Sequence, residues 1–273
     1  MENFNSIELK KLYHSPSSSH KGQNGKLLLI GGSHLFHAAS LWSLKVASRI
    51  VDMVFYSSIP ENNEIVQKAK EEFRDGIVVP RDKMKNYIEE SDCILIGPGL
   101  PREDGEEDGD YSTKELTEKL LKAYPNKKWV IDGGSLQVIK PLIIPRTAIL
   151  TPHHLEFKTL FGIEAKDTNV AEMAKKYNLT ILLKGEEDIV CDNSKCVKIS
   201  GGNPGMTKGG TGDVLAGLVA ALYCKNDAFL SACSASFINK KAGEELYKKV
   251  GPYFSASDLA NEIPQVMKKL LDY

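Results

Sequence analysis

The sequence predicts an open, doubly wound α/β sheet, mostly parallel, flanked by helices and carrying a small antiparallel hairpin. Three observations predict it. Short apolar runs ending in Gly or Pro alternate with longer helical patterns. Most of these runs are apolar at every position rather than at alternate ones, as in strands buried on both faces of a parallel sheet. Strands that alternate with helices, in turn, are what a layered α/β domain requires.

Taken in order, "SPSSSHKGQNG" (15–25) is a loop-like lead-in, rich in Ser and Gly. The strand candidates follow: "KLLLIGG" (26–32), "MVFYSS" (53–58), "GIVVP" (76–80), "CILIGPG" (93–99), "WVIDGG" (129–134), "AILTP" (148–152) and "TILLKG" (180–185). Between them lie the helical stretches "AASLWSLKVASRI", "STKELTEKLLKAY" and "NVAEMAKKYN". The segments "DIVCD" and "CVKIS", joined by "NSK", read as an antiparallel hairpin appended to the sheet. No internal repeat and no domain boundary is evident, so one domain over 1–273 is expected. The acidic run "EDGEEDGD" (103–110) misses the spacing of a calcium loop and is expected to be a solvated loop, not a metal site.

Composition narrows the function classes. With 273 residues, 42% hydrophobic and 26% charged, the chain is long enough for a full core. A net charge of −1 and a pI near 6.6 give no basic footprint for nucleic acid. No apolar run reaches membrane-spanning length, and the first residues lack the apolar core of a signal peptide. The five cysteines (Cys93, Cys191, Cys196, Cys224, Cys233) form no C-x-x-C pair and are expected to be reduced core thiols. A soluble cytoplasmic protein is the expectation.

In a sheet of this kind ligands bind beyond the carboxyl ends of the strands. Several strands here end in glycine-containing turns, which let backbone approach a ligand closely. The densest glycine stretch, "GGNPGMTKGGTGDVLAG" (201–217), runs into an apolar helix. Free N–H groups and the dipole at such a helix start make an anion site. The spacing fits neither the P-loop nor the dinucleotide fingerprint. One carboxylate, Asp213, stands at the junction. Two readings of it stay open: a helix cap, or a base that accepts the proton of an alcohol attacking a phosphoryl group.

The stretch "NPGMTKGGTGDVLAGLVAAL" resembles the G-x-G-D anion-hole signature of ribokinase-like enzymes, and more closely that of the ADP/ATP-dependent NAD(P)H-hydrate dehydratases. "HKGQNGKLLLIGGS", "IGPGL" (96–100), "IDGGSL" (131–136), "LTPHHLEFKTLFG" (150–162) and "ILLKGEEDIV" (181–190) follow that family's order, so the resemblance covers nearly the whole chain from His20. The specific element is the combination of T-P-H-x-x-E, K-G-x-x-D and N-P-G-M-x-x-G-G-x-G-D.

The resemblance implies a ribokinase-like fold and a repair lyase. Its substrate would be hydrated NADH or NADPH, with ADP or ATP and Mg²⁺ phosphorylating the ring hydroxyl before phosphate leaves. By matching motifs, Asp213 would be the base, and the backbone N–H groups of Gly210, Thr211 and Gly212 would hold the transferred phosphoryl group. Lys184, Gly185, Asp188, Asn203 and Gly212 would line the nucleotide. Ala39, Gly99, Asp132, His153, Glu156 and Asp213 would lie on the substrate side. No protein metal site is expected.

For single residues, other readings stay open. Asp132 can cap a loop, Glu156 can be a first-turn helix acid, His154 reads as a surface or packing histidine, and Lys208 as either solvated or phosphate-bound. Ala38-Ala39 stands where the family usually has Gly-Ala. "GPGLPRED" lacks the further glycine that many members carry after the leucine. The epimerase domain often fused to this one is absent from the sequence, so a separate epimerase is expected, and family resemblance suggests a homotetramer. ADP is the expected donor. Two other classes fit less well: a ribokinase-superfamily kinase of the hydroxymethylpyrimidine or hydroxyethylthiazole type, which would leave a stable phosphorylated product, and a non-catalytic nucleotide-binding protein.

Overall fold

The computed structural model describes residues 1–68, 76–102 and 112–272; the acidic run 103–110, expected to be a solvated loop, lies outside them. Ten strands form one sheet among the described residues: β1 (Glu2–Asn3), β2 (Lys26–Ile30), β3 (Met53–Ser57), β4 (Ile77–Val78), β5 (Cys93–Ile96), β6 (Lys128–Ile131), β7 (Ala148–Leu150), β8 (Thr180–Leu183), β9 (Asp188–Cys191) and β10 (Cys196–Ile199). The helices are α1 (His37–Ala47), α2 (Pro60–Lys68), α3 (Met84–Glu90), α4 (Thr113–Ala123), α5 (Gly133–Val138), α6 (His154–Phe161), α7 (Asp167–Tyr177), α8 (Thr211–Tyr223), α9 (Ala228–Val250) and α10 (Ala256–Leu270).

The strand order is β1-β10-β9-β8-β7-β6-β5-β2-β3-β4. From β2 the chain first adds β3 and β4 on one side. It then returns with β5 on the other side, so the order reverses between β2 and β5. All pairings from β4 through to β8 are parallel. The expected hairpin is present, with Cys196 to Ile199 antiparallel to Asp188 to Cys191. It is not a separate appendage, because β9 also pairs antiparallel with β8 and continues the main sheet. The sequence reading missed β1, whose two residues pair with Val197 and Lys198 of β10; a strand so short has no period to detect.

The all-apolar runs are explained by two cores. On β2, Leu27 and Leu29 join a cluster with Leu44 of α1, Val214 and Leu218 of α8, Ile238 of α9 and Leu259 of α10. Leu28 and Ile30 point the other way, into a cluster with Ile88 of α3, Leu121 of α4, Leu136 of α5, Phe157 of α6 and Val170 of α7. Period-two side chains, both sets buried, leave no polar position in the strand.

One expectation is overturned. Cys191 and Cys196 are not free thiols: they form a disulfide across the β9–β10 hairpin, with Cα atoms 4.1 Å apart. The physical reason is register, since the turn places the last residue of β9 directly opposite the first of β10. Cys93, Cys224 and Cys233 are free and buried, as expected. Among the described residues no helix is long and apolar enough to cross a membrane.

Candidate active site

The candidate residues collect at the carboxyl ends of β2 and β5 to β8, beside the point where strand order reverses, where open α/β sheets bind ligands. The strand ends are interlocked by backbone. Gly97, just past β5, has φ +123°, and a Cβ there would collide with the Asp132 carbonyl that follows β6. Glycine at this strand end therefore serves contact between neighbouring turns, and not only approach to a ligand.

Asp132 follows β6 at the N-cap position of α5 but makes no capping hydrogen bond. The residue is 2% exposed. Its Oδ1 accepts from Thr151 Oγ1 at 2.8 Å and from Lys184 Nζ at 2.8 Å. The loop-cap reading is thereby set aside.

Beyond β7, His153 and Glu156 form a capping box at the start of α6. The His153 N–H donates to Glu156 Oε2 at 2.8 Å, and His153 Nδ1 accepts from the N–H groups of Leu155 and Glu156. With Nδ1 occupied as an acceptor, the neutral ring carries its proton on Nε2, which lies 3.5 Å from Glu156 Oε1. Burial lowers the His153 pKa, with Lys184 adding to the effect. The first-turn reading of Glu156 holds, and the same carboxylate also lies 3.8 Å from Lys184 Nζ. Burial pushes Glu156 up to about 7, against the pull of Lys184 and with a further push from Asp132.

Lys184 directly follows β8, its N–H donating to the Pro152 carbonyl at 2.8 Å. Burial disfavours its charge, but Asp132 and Glu156 outweigh burial and raise its pKa. The ammonium also borders α8: a Cβ built on Gly212 would lie 3.5 Å from Lys184 Nζ.

The glycine stretch turns into α8 at Gly210, which has φ +94°. A side chain there would be strained, and its Cβ would meet the Trp42 ring. Thr211 uses its hydroxyl on the Met206 and Lys208 carbonyls, at 2.7 and 2.9 Å, and its N–H on Lys208 at 3.3 Å. Of the three N–H groups expected to face phosphate, that of Thr211 is thus directed to its own loop. Asp213, third in the helix and half-buried, is pushed up to about 7 by burial and then by Asp132, with Lys184 and its own N–H opposing. Its carbonyl accepts from Ser43 Oγ of α1 at 2.7 Å. One helical turn before Ser43 stands Ala39, and a Cβ built on Gly99 would lie 3.1 Å from the Ala39 Cβ. Ala39 and Gly99 are therefore adjacent, and Ala38 occupies an ordinary helical position in α1.

Two expected nucleotide residues have their side chains engaged elsewhere. The Asp188 carboxylate is buried beneath the turn after β8, accepting from the Gly185 N–H at 2.9 Å and from Ser236 Oγ at 2.7 Å. Lys240 Nζ sits 3.4 Å from it and also donates to the Glu186 carbonyl at 2.9 Å. Asn203 caps a short 3-10 helix, Pro204–Thr207, accepting from the Gly205 N–H and donating to the Gly243 carbonyl. Lys208 donates to the Pro252 carbonyl and lies over the Phe254 ring, so its ammonium anchors a neighbouring loop. The His154 ring, on the exposed face of α6, borders Gly185.

Sequence reasoning missed Thr151, Trp42, Ser236 and Lys240, which hold the site residues in place. Thr151 was visible inside T-P-H-x-x-E, but its partner Asp132 comes from a different strand.

The family model described as NAD(P)H-hydrate dehydratase matches residues 27–265. The chain is 36% identical to the bifunctional NAD(P)H-hydrate repair enzyme Nnr of Archaeoglobus fulgidus over 266 residues, covering 93% of this chain and 53% of that one. The chain thus spans about half the length of the bifunctional relatives it matches. It is 35% identical to the ADP-dependent (S)-NAD(P)H-hydrate dehydratase of Nitrosopumilus maritimus over 273 residues, covering 92% of this chain and 91% of that one. In fold it is similar to the ADP/ATP-dependent NAD(P)H-hydrate dehydratase of Bacillus subtilis crystallised with ATP/Mg²⁺, with a TM-score of 0.83, 23% identity and 98% of each chain covered.

Proposed function

The chain belongs to the NAD(P)H-hydrate dehydratase family, and from that membership we propose that it returns (S)-NAD(P)H hydrate to NAD(P)H, using ADP or ATP as phosphoryl donor. The observation that carries the reading is that Lys184 Nζ borders Gly212, next to Asp213 in the first turn of α8. A carboxylate able to take a proton and an ammonium able to meet phosphate flank a turn suited to anions.

Asp213 takes the proton of the ring hydroxyl as that oxygen bonds to the terminal phosphorus of the donor. The donor's terminal P–O bond breaks, and its electron pair leaves with the shortened nucleotide. The ring nitrogen lone pair then expels phosphate with the C–O electron pair, and the neighbouring carbon gives up a proton to restore the double bond. Hydroxide would be a poor leaving group; phosphate is a good one. This accounts for a kinase-like site whose final product carries no added phosphate.

Among the described residues no group of three or more His, Cys, Asp or Glu side chains converges to hold a metal. No step is assigned to the ion. Mg²⁺ ordinarily arrives on nucleotide phosphates with few protein ligands.

The family match over residues 27–265 and the one sheet formed by the described residues support one dehydratase domain. Homo-oligomeric assembly and a cytoplasmic location are proposed on the family resemblance alone. A site of fixed handedness takes one hydrate epimer, so the reading calls for an epimerase acting on the other.

The test adds ADP or ATP in turn to hydrated NADH at matched concentrations. NADH absorbance should return, faster with ADP. Faster return with ATP would overturn the donor assignment alone. A stable phosphorylated product without recovered NADH would overturn the lyase reading in favour of a kinase.

A further inference from the structure

Lys184 is an unusual phosphate ligand, because its charge is already claimed. Its ammonium lies 2.8 Å from Asp132 and 3.8 Å from Glu156, and Asp213 lies near enough to act on it as well. Two carboxylates thus hold one cation, with a further pull from Asp213, at a place that must receive a polyphosphate. The two members of the closest pair differ in freedom. Asp132 is 2% exposed and pinned through the oxygen that Thr151 also holds. Lys184 ends a flexible four-carbon stem, and its ammonium already borders Gly212.

We propose that Asp132 is a positioning residue that presents Lys184 to the α8 turn and competes with the donor's phosphates for it, so that nucleotide binding moves the lysine's charge from carboxylate to phosphate. The inference rests on the nucleotide-dependent reading above. Asp132 keeps the long side chain of Lys184 aimed along the cleft, where an unpaired lysine would sample many rotamers. The same carboxylate weakens donor binding, because each phosphate contact is gained at the expense of a buried ion pair. It acts on the base too. Asp213 faces Asp132 from the end of β6, Lys184 from the end of β8, Glu156 from α6, and the N–H groups of its own first turn. Of these, Asp132 is the foremost of the charges that hold its proton on.

The experiment measures ADP binding by calorimetry, and the pH profile of turnover, for wild type, Asp132→Asn, Lys184→Ala and the double variant. Asp132→Asn keeps the shape and an acceptor for Thr151. It should bind ADP about tenfold more tightly, the low end for a close buried charge pair. The acid limb of its turnover should move to lower pH. Lys184→Ala should bind ADP more weakly, and in that background Asp132→Asn should no longer tighten it. If Asp132→Asn proves fragile, the rise in melting temperature on adding ADP reads the same affinity, and that rise should exceed the wild type's. Unchanged or weaker ADP binding with an unmoved acid limb would reduce Asp132 to a structural residue and overturn the proposal. Absence of ADP binding in the wild type would instead overturn the function reading beneath it.

Discussion

Asp213 holds its proton up to about pH 7, chiefly because burial disfavours its charge and Asp132 repels it. Two consequences follow for the residue itself. Losing a general base typically costs about 10²–10⁴-fold in rate. Asp213→Asn should lower turnover by roughly that range while leaving ADP binding in place; turnover near wild type would return Asp213 to the role of a cap. The second consequence concerns stability. A carboxyl whose folded pKa is raised favours the fold below its unfolded value, and that contribution is lost as pH rises through about 7. The uncharged amide has no such loss. Melting temperatures taken between about pH 5 and pH 8 should therefore shift in favour of Asp213→Asn toward the alkaline end.

At the scale of the element, the start of α8 separates two adjacent glycines. Gly210 has a positive φ and the Trp42 ring where a Cβ would stand, whereas a Cβ on Gly209 meets nothing within 4 Å. Left-handed backbone and a forced contact together give Gly210→Ala a cost of about 2 kcal/mol or more. Gly209→Ala should lie within about 0.5 kcal/mol of wild type in urea unfolding. Equal effects would show that the turn is not held by Trp42. The sequence shows a glycine-rich turn there but not which glycine is essential, since that depends on a tryptophan in α1. The β9–β10 hairpin teaches the same lesson. "DIVCDNSKC" reads as two strands and a turn, yet the disulfide becomes legible only once the register sets the two cysteines opposite each other. A thiol assay in denaturant should find three reactive cysteines before reduction and five after; five at the outset would show the bridge absent.

Across the whole molecule, the two faces of the sheet made the fold legible. A strand buried on both sides has no polar position, so nine of the ten strands among the described residues stand out as apolar runs or hairpin arms, and of these ten, two-residue β1 does not. The site was legible where one motif holds both partners, as in the capping box of His153 and Glu156. It was hidden where partners come from distant elements. Lys240 and Lys241 are neighbours in "NKKAGEE", and only the phase of α9 turns the first inward onto Asp188 and leaves the second at the surface. The strand order carries one more consequence, for how the molecule comes into being. Its candidate residues run from Ala39 to Asp213, and β2 must await β5 before the crevice between them exists. Pairings so far apart along the chain form slowly compared with helices. During refolding from denaturant, recovery of helical circular dichroism should run ahead of regained turnover. The catalytic crevice would then be among the last parts of the molecule to mature, and activity would serve as a clock for the completed native state.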